Sequence, residues 1–278
     1  MLDSLLVFDI ETIPDTDSCN NLLGKEIGAD DDVAAKREAM VNYHLEITNG
    51  QNPFLRQPFH RVVAISFLRA DIKREGSHES FILREVRSGS SGLTSEKELI
   101  KGFFGYVAAV KPRIVTFNGR TFDFPVLKYR AMVHGVQAEY LYRSGDKWSN
   151  YFQRYSVDWH CDLLDYLSDF GTSARVKMHE VCSVLGFPGK TGTDGSDVMG
   201  LYDKGELDSI RDYCETDVIN TYLIYLRLMQ HQGRLTTNNY NSCIEGVLEY
   251  LKASGKEHFA DFVTDWGVAN KGQFYLVP

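Results

Sequence analysis

The sequence predicts an α/β protein whose mixed sheet is flanked by helices. Short apolar runs alternate with helical patterns along the chain, the usual signature of that class. The first three apolar runs have few helices between them, which points to a mixed rather than a fully parallel sheet. The chain has 278 residues, of which 43% are hydrophobic, enough for one sizeable core. No internal repeat and no separating linker interrupts it.

The elements follow in order. Residues 4–10, SLLVFDI, are short, apolar and closed by Thr12-Ile13-Pro14, as a buried strand should be. Residues 15–60 show no strand pattern, but Asp30-Asp31-Asp32 can cap a helix through VAAKREAMVNYHLEI, which Asn49-Gly50 stops. RVVAISFLRA (61–70) and ESFILREV (79–86) are two further strands, and SGSSG (88–92) reads as a flexible loop. A helix starts at Thr94 or Ser95, with Glu98 three residues beyond Ser95 as in a capping box. RIVTF (113–117) is a buried strand, Asn118-Gly119 turns the chain, and a helix over roughly 122–134 ends at Gly135. Residues 136–160 read as loop with marginal helix. DLLDYL and KMHEVCSVLG are short amphipathic helices, and GFPGKTGTDG (186–195) is a glycine-rich loop. Residues 205–230 give the strongest helical pattern, and 240–265 carry two more.

Composition narrows the classes. No apolar run approaches the ~18 residues of a membrane span. The N-terminus has no Lys or Arg before Lys25 and carries acids inside its apolar stretch, so no secretory signal is expected. Five scattered cysteines suit reduced thiols in a cytoplasm. The formal charge of −8 speaks against a broad basic nucleic-acid face.

Three carboxylate motifs carry the chemistry. In Asp9-Ile10-Glu11, strand alternation points both acids to one face. Two such carboxylates repel, and a divalent cation is the usual compensation, although acids are also common where a strand runs out into solvent. In Phe117-Asn118-Gly119-Arg120-Thr121-Phe122-Asp123, the last acid falls in a first helical turn at a strand-to-helix junction. It is either a dipole-matching acid or a group facing the ligand end of the sheet. In Tyr213-Cys214-Glu215-Thr216-Asp217, Tyr213 and Asp217 stand four apart and share a helix face, beside an apolar stripe of Ile210, Cys214, Val218 and Tyr222. A structural hydrogen bond would explain that pair alone.

In this order the motifs resemble the proofreading-type 3′→5′ exonucleases of the four-carboxylate DEDD superfamily, in the subgroup whose last motif carries Tyr. The second motif is similar to that of the exonuclease domain of family-B DNA polymerases. The run from LGFPGK through DGSDV to IRDYCETDVINTYL is similar to stand-alone bacterial exonucleases related to that domain. The resemblance covers roughly residues 4–230. It implies a ribonuclease-H-like fold with a mixed five-stranded sheet. A single exonuclease domain over 1–278 is then expected, with an insertion at about 14–60 and a helical tail at about 236–278. It implies two Mg²⁺ or Mn²⁺ ions held by Asp9, Glu11, Asp123 and Asp217, with Asp9 bridging them and Tyr213 orienting the attacking water. It also places Thr12 near the terminal 3′ hydroxyl, and Asn118 and Phe122 on the terminal nucleotides. The expected partner is a nucleic acid with a free 3′ end, single-stranded DNA before RNA, and the expected location is cytoplasmic. An RNA-processing exonuclease and a non-catalytic nucleic-acid-binding module are the alternatives, the second opposed by all four acids being intact.

Other signals are weaker. Gly186-Phe187-Pro188-Gly189-Lys190-Thr191 lacks the spacing of a phosphate loop, which leaves Lys190 as a point contact to phosphate or a solvated lysine. His179 with Cys182, and His160-Cys161, lack the paired C-x-x-C of structural zinc. Asp158 and Asp162 read as caps or fold-stabilising acids. Arg120, inside the second motif, is the basic residue expected to touch phosphate.

Overall fold

A computed structural model describes residues 2–29, 32–189 and 197–277. Five strands form one sheet in the order β3-β2-β1-β4-β5: β1 (Ser4–Pro14), β2 (His60–Glu75), β3 (His78–Ser90), β4 (Arg113–Thr116) and β5 (His160–Asp162). β2 runs antiparallel to both β1 and β3, while β4 runs parallel to both β1 and β5. This is the predicted mixed sheet of a ribonuclease-H-like fold. Eleven α-helices are assigned among the described residues: α1 (Cys19–Leu23), α2 (Val33–Ile47), α3 (Glu96–Val110), α4 (Asp123–His134), α5 (Glu139–Arg143), α6 (Leu163–Leu167), α7 (Met178–Leu185), α8 (Val198–Asp203), α9 (Leu207–His231), α10 (Thr237–Ala253) and α11 (Glu257–Ala269).

The apolar run of β1 is unbroken because both of its faces are covered. Leu5 and Val7 join a core with Val218 and Tyr222 of α9, Ile244 of α10 and Trp266 of α11. Leu6, Phe8 and Ile10 join a second core with Ile100 and Phe103 of α3 and Leu127 of α4. Alternation therefore carries Asp9 and Glu11 onto the α9 side of the sheet. Between Glu11 and Thr12 the pairing with β2 slips, from Glu11 opposite Ala64 to Thr12 opposite Val62. Val63 of β2 is the extra residue, and the bulge falls directly after the acids.

Two departures from the sequence reading have plain causes. SGSSG (88–92) is not wholly a loop, because β3 continues through Ser88-Gly89-Ser90, paired with Ser66, Ile65 and Ala64. Long-range pairing overrides a composition that locally favours turns. β5 carries no sequence signal because it is three residues long. Local caps behave as expected: Asp32 accepts from the Ala35 N–H at 2.9 Å, and Ser95 from the Glu98 N–H at 3.2 Å.

A buried ionic network fixes α4. Arg130 donates to Asp15 at 2.7 Å and to Glu96 at 2.8 and 2.5 Å, and Glu96 also accepts the Val62 N–H at 2.7 Å. The helix that begins at Asp123 is thereby tied to β1's exit, to β2 and to α3.

Candidate active site

The three motifs converge. Asp9 and Glu11 of β1, which continues past them to Pro14, and Cys214 of α9 each offer an atom within 4.8 Å of the others. The Cys214 thiol donates to the Asp9 carbonyl at 3.5 Å and to Asp9 Oδ2 at 3.7 Å. Asp123 opens α4 and is 3% exposed. Its carboxyl accepts from the N–H of Ile10 and from its own N–H, and it is hydrogen-bonded to Asp9. Asp217, one helical turn past Tyr213, is hydrogen-bonded to the Tyr213 hydroxyl. The four acids and Tyr213 thus come from β1, α4 and α9 to one place.

Their electrostatics follow from that crowding. Burial, then the charges of Asp123, Glu11 and Asp217, push the Asp9 carboxyl well above its usual range. Asp123 is pushed up to about 7, by burial first and with a contribution from Asp162, against the N–H donors that favour its anion. The Tyr213 phenol is raised by burial and by Asp217, Glu11 and Asp9, so it remains a neutral donor. Burial, then Asp9 and Glu11, likewise keep Cys214 a neutral thiol.

This donor set fits hard divalent cations. Clustered carboxylates resist ionising together, and a bound cation removes that resistance. Oxygen donors alone suit Mg²⁺ or Mn²⁺.

The turn before α4 is held by one acid. Asp162 accepts the N–H groups of Asn118 at 2.9 Å and Arg120 at 2.7 Å. It also caps α6 through the Leu164 N–H at 3.1 Å, in line with the capping role read from sequence. Asn118 takes the left-handed conformation, with φ of 72°, that the turn demands. The sequence marked Asp162 as a cap but gave no signal that it reaches 44 residues back to the second motif.

The remaining predicted residues are placed as follows. Thr12 Oγ1 lies 2.9 Å from His60 Nδ1. Asn118 Oδ1 accepts from Thr121 at 2.5 Å and from Arg175 at 3.3 Å. The Phe122 ring stands edge-on to His60 at 5.0 Å. Arg120 is turned to the backbone instead, donating to the carbonyls of His160 at 3.2 Å and Phe152 at 3.4 Å. A cleft of about 1100 Å³ opens beside the acids, lined by Phe54, Asn118, Thr121, Arg175, Lys177 and Asp217 among others. Phe54 and His60 belong to no motif, and nothing in the sequence pointed to them.

The zinc decoys resolve plainly. Buried His160 bonds Thr116 Oγ1 at 2.9 Å, and burial first, then Arg120, keeps it neutral. Cys182 is buried against Asn220, and His179 is exposed. Lys190 lies outside the described residues. No helix among the described residues is long and apolar enough to cross a membrane.

Comparison with known proteins adds three findings. A family model described as "Predicted 3'-5' exonuclease related to the exonuclease domain of PolB" matches residues 52–266. That span includes Asp123, Tyr213 and Asp217 and begins downstream of Asp9 and Glu11. Among solved structures, the family B DNA polymerase from the hyperthermophilic archaeon Pyrobaculum calidifontis is similar over 89% of this chain and 29% of that chain, at 16% identity and a TM-score of 0.47. The chain therefore spans less than a third of that polymerase. No curated protein matches.

Proposed function

The chain belongs to the family of predicted 3′-5′ exonucleases related to the exonuclease domain of PolB, and from that premise we propose that it removes nucleotides from the 3′ end of single-stranded DNA by two-metal hydrolysis. The observation that carries this reading is the convergence of Asp9, Glu11, Asp123 and Asp217 with Tyr213.

Asp9 stands at the centre of the acids and would contact both ions. Glu11 and Asp217 would share one ion and Asp123 would serve the other. When bound, Mg²⁺ or Mn²⁺ offsets the charge that builds on the phosphate and acidifies water near neutral pH. The chain's own residues supply position and exclusion. Tyr213, kept neutral by its surroundings, donates a hydrogen bond and orients the attacking water, but it is a poor base at neutral pH. Thr12, beside the β2 bulge, would meet the terminal 3′ hydroxyl. Asn118 and Phe122 would hold the terminal nucleotides, Phe122 by stacking.

The test uses 5′-labelled DNA and RNA oligonucleotides, single- and double-stranded, with Mg²⁺, Mn²⁺ or EDTA. The expected product is a ladder shortening from the 3′ end of single-stranded DNA, absent in EDTA. Asp9→Ala and Asp217→Ala should each lower the rate by at least about 1000-fold, since several kcal/mol of charge stabilisation are lost. Intact metal-dependent activity in Asp9→Ala would remove the assignment. Release of a labelled 5′ mononucleotide first would reverse the polarity, and preference for RNA would change the substrate.

A further inference from the structure

The insertion between β1 and β2 ends against the candidate active site and presents an aromatic ring there. Phe54 is 57% exposed. Its ring lies 5.0 Å from His60 and 5.7 Å from Phe122. His60 in turn touches Thr12 and Phe122, so Phe54 is the outermost member of an aromatic group that begins at the acids' own strand. Its backbone is held on both sides. The Phe54 N–H donates to Asn52 Oδ1 at 2.9 Å. Gln57, three residues on, donates to the Thr121 carbonyl at 3.0 Å, which fastens the insertion to the turn that precedes Asp123. The Asp15 N–H donates to the Phe59 carbonyl at 2.8 Å and closes the base of the insertion.

Arg175 and Lys177 line the same cleft. Arg175 contacts Asn118 Oδ1, and among the described residues neither cation pairs with a carboxylate within 4.0 Å. The lining of this one cleft therefore offers an aromatic ring and positive charge together with Asp217. Aromatic platforms facing cations are how single strands are held without sequence preference: bases stack on the ring and phosphates meet the charge. Bases inside a duplex cannot use such a site, because both of their faces are already covered by neighbours.

We propose that Phe54, Arg175 and Lys177, which line one cleft with Asp217, together hold an unpaired 3′-terminal segment for the acids. This rests on the exonuclease reading above and adds its substrate discrimination, which resides in the insertion and in the segment before α7 rather than in the motifs.

Two measurements on the full chain test it. The first is the Mg²⁺-dependent hydrolysis of a 5′-labelled single-stranded DNA, with KM and kcat obtained separately. The second is fluorescence anisotropy of a labelled single strand whose 3′ linkages are phosphorothioates, titrated over salt. Phe54→Ala should raise KM and Kd about tenfold, the loss of one stacked base, with a far smaller change in kcat. Phe54→Trp should bind as wild type does or more tightly. Arg175→Ala with Lys177→Ala should flatten the slope of log Kd against log salt by about 0.7 for each phosphate left without its cation. Unchanged KM, Kd and salt slope in an active enzyme overturn this proposal and leave the exonuclease reading standing. A wild-type chain that neither binds nor degrades single strands overturns both.

Discussion

Single residues divide into those that meet chemistry and those that aim them. Tyr213 can be tested apart from metal binding, because its hydroxyl orients rather than ligates in this scheme. Tyr213→Phe should slow single-turnover cleavage by about 100-fold, the scale of a misplaced reactant, while Mn²⁺ affinity measured by calorimetry stays within a few-fold. A phenol acting as base would predict a displaced pH–rate profile instead. Asp162 is the aiming residue of the second motif. Asp162→Ala leaves the Asn118 and Arg120 N–H groups without their acceptor, at about 1–3 kcal/mol each. A melting temperature lowered by at least a few degrees, with a larger loss in kcat than in KM, is the expected result. A variant with wild-type melting and turnover would mean the turn holds itself.

At the scale of elements, α9 unites the site with the tail. Tyr213 and Asp217 lie on one side of it, while Glu215, between them and 1% exposed, faces another. Glu215 accepts from Lys256 at 2.8 and 2.7 Å, from His258 at 2.8 Å and from Ser88 at 2.7 Å. The start of α11 and the end of β3 are thus fastened to the helical turn that carries the third motif. Asp212, Glu215 and His258 are near enough for a metal, but these donors already satisfy Glu215, and a salt-bridged cluster accounts for them. Farther along α11, Trp266 is 1% exposed in the core that Leu5 and Val7 share. Trp266→Ala should cost about 3–5 kcal/mol. If the tail and the motif-bearing part form one domain, calorimetry will show a single lowered transition. Two separate transitions would make the tail a unit of its own.

Across the whole molecule, buried ion pairs set the response to acid. Burial alone would raise Glu79 and Glu96, yet each sits below its usual range because hydrogen bonds and nearby positive charge outweigh burial: Arg113, with Arg234 and Arg74, for Glu79, and Arg130, with His134, for Glu96. A carboxyl lowered in the folded state contributes stability that is fully present above its unfolded value of about 4.3. That contribution disappears as pH falls through the lower folded value. The part of the stability that these two carboxylates supply should therefore be flat near neutrality and fall below about pH 4.5, whereas Asp9 and Asp123, held above their usual range, add stability as pH falls from neutrality. In Glu79→Gln, which strands the buried Arg113, the deficit relative to wild type should narrow as pH falls. A deficit constant from about pH 7 to about pH 3 would refute the linkage. The net charge of −8 bears on function too: with acids outnumbering bases, single-strand binding should weaken sharply in EDTA.

Local rules determined much of this protein. Hydrophobic period placed the long helices and the inner strands, and alternation on β1 put Asp9 and Glu11 on one face. The four acids and Tyr213 were legible because each motif's local geometry is set by its neighbours in sequence: alternation within β1 for Asp9 and Glu11, the strand-to-helix turn before α4 for Asp123, and four-residue spacing within α9 for Tyr213 and Asp217. Tertiary structure alone decided the rest. β5 exists only through pairing with β4, and Ser88-Gly89-Ser90 is strand only because β2 lies beside it. Asp162 reaches the second motif, and Phe54 reaches the cleft, across separations of 44 and more residues. Arg120, read as a phosphate contact, turns to the carbonyls of Phe152 and His160. The physical reason is the same in each case. Periodicity reports which face of an element avoids water, whereas contacts between polar groups far apart in sequence depend on how the packed elements bring them together.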